Sequence, residues 1–175
     1  MERAKELFLY YHGNRFFMDL NGERYEYDRY HVPKETEEAW AREYVLGFFE
    51  SEVRGKEALR AYSAVTEFVE RDELRDFWER CLYYPLRSEH LDDVTTLFML
   101  SRSYYMAENA AKRRRLSRRA VDAYVRELDG YIRRVQERAA AGTLTRDDSY
   151  DMNEFSDPVY VEDYLGRLRE KWARI

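Results

Sequence analysis

The 175-residue chain has one cysteine, three prolines and seven glycines, and each scarcity removes a class of protein. A lone thiol, Cys81, cannot form an intramolecular disulfide, so a disulfide-stapled secreted scaffold is excluded. Few Gly and Pro argue for long regular elements rather than many turns. The most apolar stretch, Val94 to Met106, contains Arg102 and is too short to span a bilayer. Met1-Glu2-Arg3-Ala4-Lys5-Glu6 has no apolar signal region, and the reading is a cytoplasmic protein with no membrane partner. No Walker loop, G-x-G-x-x-G or G-x-S-x-G occurs. His12, His31 and His90 are the only imidazoles, and none has Glu-x-x-His or His-Glu-x-x-His spacing. The acidic stretch Asp147 to Asn153 alternates oxygens like a calcium loop. It lacks the glycine at the sixth position, and Pro158 stands where the bidentate Glu belongs. Catalytic, metal and cofactor sites are accordingly all read as none.

Aromatics and charge are plentiful. Aromatics make up 16% of residues, with sixteen Tyr, and hydrophobic residues 45%, enough for a packed core beside 37% charge. Cys81 falls on an apolar stripe and reads as a core thiol.

Asn21-Gly22 is the favoured pair for a type I′ hairpin turn. Pairing around it sets Met18 opposite Tyr25 and Phe16 opposite Tyr27, with Asp19–Arg24 and Arg15–Asp28 as opposite-charge pairs on the other face. Leu7 to Tyr11 is available as a third strand. After Pro33 the apolar period turns helical. Stripes run through Trp40, Tyr44 and Phe48, then Leu59, Tyr62 and Val65, then Leu74, Phe77 and Cys81, with Pro85 as the stop. Ser88 is the expected N-cap of a fourth, most buried helix. Ser117 is the expected N-cap of a fifth, unless the fourth and fifth are continuous. The fifth carries a heptad seam over 121–139, through Val121, Val125, Leu128, Ile132, Val135 and Ala139, stopped by Gly142. Asp157-Pro158 opens a last helix.

The predicted fold is a single α+β domain, predominantly α. A short N-terminal antiparallel β-hairpin (1–32) packs on a bundle of five to six helices. The main bundle covers 33–141, an acidic loop 143–156 and a C-terminal helix 157–175.

Lys112, Arg113, Arg114, Arg115, Arg118 and Arg119 place six cations in eight residues of a chain with net charge −5. With Arg126 they are the candidate partner-binding surface, since a basic stripe attracts an anionic one. Tyr25, Tyr27 and Tyr30 form a secondary contact patch. The predicted function is a non-enzymatic protein–protein interaction factor: a bacterial-style regulator, inhibitor or immunity-type protein. It would act through a preformed charged and tyrosine-rich surface on a protein with an acidic face. A nucleic-acid binder using 112–119 and 126–134 is the first alternative, and an enzyme with an inter-helix carboxylate/His site near His90 the second. A monomer is expected, with a homodimer through the 121–139 seam as the other possibility. The acids of 147–157 are a candidate cover for the basic run.

Overall fold

The structure is a computed structural model that describes residues 1–112, 117–150 and 154–175, excepting the side chains of residues 72 and 73. Every regular element among the described residues is a helix: α1 (Glu2–Tyr10), α2 (Arg15–Leu20), α3 (Arg24–Asp28), α4 (Lys34–Glu50), α5 (Gly55–Val69), α6 (Trp78–Arg87), α7 (Asp93–Lys112), α8 (Arg118–Ala140) and α9 (Pro158–Trp172), with short 3-10 turns at Asp72–Phe77 and Glu154–Ser156. Among the described residues there is no strand, so the expected β-hairpin, and with it the α+β class, is wrong.

The reason lies in the residues that suggested the hairpin. Asn14 caps α2, its side chain accepting from the amides of Phe16 (3.1 Å) and Phe17 (3.4 Å). At the other end Gly22 takes φ +73° and donates to the Asp19 carbonyl, while the Glu23 amide donates to Met18 O at 2.9 Å. These are the two bonds of a Schellman helix end. Asn-Gly therefore terminates a helix here, using the same positive φ a hairpin turn would have used. Arg15 and Asp28 do approach, at 3.9 Å, but as a contact between two helices. The segment expected as a third strand belongs to α1, which ends the same way: His12 (φ +49°) donates to Leu9 O and Gly13 (φ +65°) to Phe8 O.

Backbone contacts divide the chain into two compact units, one of residues 1–51 and 64–78, the other of 52–63 and 79–175. In the N-terminal unit, α1 lies on α4. Its centre is Phe8, whose ring meets Tyr27, Trp40 and Phe68 at 6.5, 5.8 and 5.7 Å. The Arg71 guanidinium lies 5.2 Å from the Phe8 ring and donates to the His12 carbonyl, tying down the α1 end.

In the C-terminal unit, α8 packs on α9. Val121, Leu128, Ile132, Val135 and Ala139 of the heptad seam are buried within the chain. Tyr124 of the same helix meets the Trp172 ring at 4.5 Å. α7 is buried along most of its length. It starts at Asp93, five residues beyond the expected Ser88 cap. Asp92 supplies the capping bond to Thr95 N (2.9 Å), and the Ser88 hydroxyl donates back to Tyr84 O. Ser117 caps α8 through Ala120 N at 3.2 Å. Pro85, the expected stop, sits inside α6. It has no N–H for the carbonyl of Cys81, four residues back, and the buried Tyr62 hydroxyl donates to that carbonyl at 3.0 Å instead.

Candidate partner-binding surfaces

The cationic run lies at the α7–α8 junction. Lys112 is exposed and pairs with Glu108 one turn back at 3.1 Å. Lys112 and the Tyr104 hydroxyl together hold the Glu108 carboxyl below its ordinary pKa. Arg118 pairs with Asp122 at 3.1 Å. Arg119 and Arg126 are exposed. Arg113, Arg114 and Arg115 lie outside the described residues.

Three residues of the described part of the acidic loop, Asp147, Ser149 and Tyr150, make contacts of their own. Ser149 Oγ accepts from the Lys56 amide at the start of α5 (3.0 Å), and Asp147 accepts from Ser149 N (2.9 Å). The Ser149 hydroxyl, and then that backbone bond, hold the Asp147 carboxyl below the usual carboxylate range. Tyr150 is buried against Phe98, with its hydroxyl 3.2 Å from Thr95 Oγ1. At the α5 start Gly55 has φ +54°, and a Cβ there would fall 2.2 Å from Asp147 Oδ1.

The three tyrosines of the secondary patch do not share a surface. Tyr25 is 78% exposed, whereas Tyr27 is 1% exposed. The Tyr27 hydroxyl donates to Glu37 at 2.6 Å, beneath the Arg15 guanidinium at 4.2 Å. Burial, then Glu37, raises its pKa well above the ordinary tyrosine value. Tyr30 is half-buried, with its hydroxyl 3.5 Å from Glu26.

Two of the three imidazoles, His12 and His90, have separate partners. His12 Nδ1 lies 2.8 Å from Glu67 Oε2, and His90 Nε2 lies 3.2 Å from the Tyr84 hydroxyl. Burial pushes the Cys81 thiol up to about 12, the opposite of an activated nucleophile. Among the described residues, no three His, Cys, Asp or Glu side chains are grouped to hold a metal ion, and no helix is long and apolar enough to cross a membrane.

A surface missed from sequence stands out. Of the eight large apolar side chains exposed among the described residues, six lie in the first 25 positions: Met1, Tyr10, Phe16, Phe17, Leu20 and Tyr25. Phe16 (64% exposed), Phe17 (47%) and Leu20 (65%) all belong to α2, where only Met18 is buried. Phe16 and Leu20 are one helical turn apart, and the Phe16 and Phe17 rings lie 5.8 Å from each other. Hairpin pairing hid this by assigning Phe16 and Met18 to one covered face. A helical reading of Arg15-Phe16-Phe17-Met18-Asp19-Leu20 would have shown apolar residues on more sides than one short helix can bury. No family model, curated protein or solved structure matches this chain, and the surfaces rest on its own geometry.

Proposed function

We propose that the protein is an interaction factor that docks on another protein through the aromatic face of α2. The observation that carries this reading is the exposure of Phe16, Phe17 and Leu20 together on one six-residue helix. Contiguous exposed aromatics are uncommon on soluble surfaces, and aromatic anchors dominate binding energy at protein interfaces. Charge indicates the kind of partner. The N-terminal unit holds nine Lys/Arg and sixteen Asp/Glu, a net −7. Arg3, Lys5, Arg15 and Arg24 are each paired with acids of the same unit. Asp19, on the same short helix, is exposed and forms no ion pair among the described residues. The fitting partner is a protein with an apolar pocket and a basic rim.

A photo-crosslinking amino acid at position 17, compared with the same group at Val159, tests this. Val159 is 68% exposed on the C-terminal unit. In the native cell, position 17 is expected to capture one protein that position 159 does not. Binding of that purified protein should slow as salt rises and fall further with Asp19→Lys. Equal capture at both positions, or affinity indifferent to Phe17→Ser, overturns the reading. Capture of a second copy of this chain would reassign the face to self-association.

A further inference from the structure

The C-terminal unit contains a cleft of about 490 Å3, between the end of α6, the start of α7 and one side of α8. That volume falls within the range of small-molecule sites, roughly 300–1,000 Å3. Three arginines line it, Arg87, Arg134 and Arg138, along with two acids, Glu89 and Asp93.

Most of these charges are already neutralised. Arg87 makes a two-pronged pair with Glu127 at 3.0 and 3.1 Å. Arg138 is bonded to the buried Asp93, whose other carboxylate oxygen accepts from both the amide and hydroxyl of Thr145, each at 2.9 Å. Arg134 and Glu89 remain. Arg134 lies over the Tyr131 ring, 5.7 Å from its centroid, and is exposed; Glu89 is exposed. Neither forms an ion pair among the described residues.

The cleft therefore offers one uncommitted cation and one uncommitted anion. A phosphate dianion would bring two negative charges to a single guanidinium with a carboxylate nearby, and like-charge proximity disfavours it. A ligand with one charge of each sign leaves nothing unpaired. Pro85, Leu86 and Leu91 supply an apolar wall for the rest of it. We infer that the cleft takes a zwitterionic α-amino acid with an apolar side chain, its carboxylate on Arg134 and its ammonium on Glu89. This site belongs to the C-terminal unit and stands independently of the aromatic docking face.

NMR titration of the full chain with four probes tests the assignment: L-leucine, 4-methylpentanoate (no amine), isopentylamine (no carboxylate) and inorganic phosphate. L-leucine is expected to saturate and to bind more tightly than either half-molecule. Arg134→Gln should weaken L-leucine and 4-methylpentanoate about fivefold and leave isopentylamine unchanged; Glu89→Gln should weaken L-leucine and isopentylamine about fivefold and leave 4-methylpentanoate unchanged. Both substitutions replace exposed groups, and thermal melting verifies that each variant is folded. Phosphate binding tighter than L-leucine, no saturation by L-leucine at roughly tenfold above a millimolar Kd, or wild-type L-leucine affinity in both variants would each overturn the proposal.

Discussion

The two units of this chain differ in charge balance and in how much apolar surface they leave exposed. The N-terminal unit has nine cations against sixteen anions; the C-terminal unit has twenty-one against nineteen. Six of the eight large apolar side chains exposed among the described residues belong to the acidic unit. In the nearly balanced unit, aromatics are turned inward: Tyr62 stacks on Tyr84 at 6.0 Å, Tyr83 meets Tyr124 at 5.2 Å and Tyr124 meets Trp172 at 4.5 Å. Both units bury an aromatic cluster, but the acidic one also holds most of the exposed large apolar side chains, which a folded chain keeps mainly where something else will cover them.

The units also differ in what holds them. Asp93 is buried and accepts from Arg138, Tyr131 and Thr145, joining the start of α7 to the end of α8 and the loop beyond it. Asp93→Ala would leave these donors without an acceptor. The expected cost is about 3 kcal/mol, read from the urea midpoint. A loss below about 1 kcal/mol would mean that solvent replaces the carboxylate, and the C-terminal unit is less tightly built than described.

The N-terminal unit depends on a backbone turn. Gly13 has φ +65°, and a Cβ there would lie 2.0 Å from the Arg71 guanidinium and 2.7 Å from the Phe8 ring. Gly13→Ala is expected to destabilise by about 2 kcal/mol, combining the left-handed strain with displacement of Arg71. Hydrogen exchange should show the opening concentrated in residues 1–51. A uniform effect on both units would remove the distinction between them.

Tyr62→Phe leaves the Cys81 carbonyl opposite Pro85 without its donor. The expected loss is about 1.5 kcal/mol by thermal melting, with α6 amides the first to exchange. The smallest effect concerns the exposed pair Arg42–Asp76, at 2.8 Å. Arg42 lowers the Asp76 pKa below its ordinary value. Its contribution is therefore present above the unfolded carboxylate pKa and disappears as pH falls through the folded one. Asp76→Asn should cost under about 0.5 kcal/mol at pH 7, and nothing once wild-type Asp76 is protonated, by urea titration at both pH values.

The helices after Pro33 were legible because their apolar residues repeat at the helical period, and Ser117 and Asp157 carry cap chemistry of their own. The first 32 residues were not, because Asn21-Gly22 supplies a positive φ that suits a hairpin turn and a helix end equally. Asn14, capping three residues before Phe17, was the signal that separated them. Pro85 misled for a different reason: the hydroxyl that compensates it lies 23 positions earlier, at Tyr62. Among candidate contact residues, Tyr25 is at the surface, but Tyr27 is a core ring whose hydroxyl serves Glu37. The aromatic face of α2 was hidden once its residues were paired as strands.

Binding is proposed to run through the aromatic face of the acidic unit rather than through the cationic stripe. Affinity for the captured partner, measured for wild type, Phe17→Ser/Leu20→Ser and Arg119→Ala/Arg126→Ala, compares the two surfaces directly. The aromatic pair should lose at least about thirtyfold, the value of one interface hot spot, and the arginine pair less than about threefold. The reverse order would contradict the account and return the interaction to the stripe between α7 and α8.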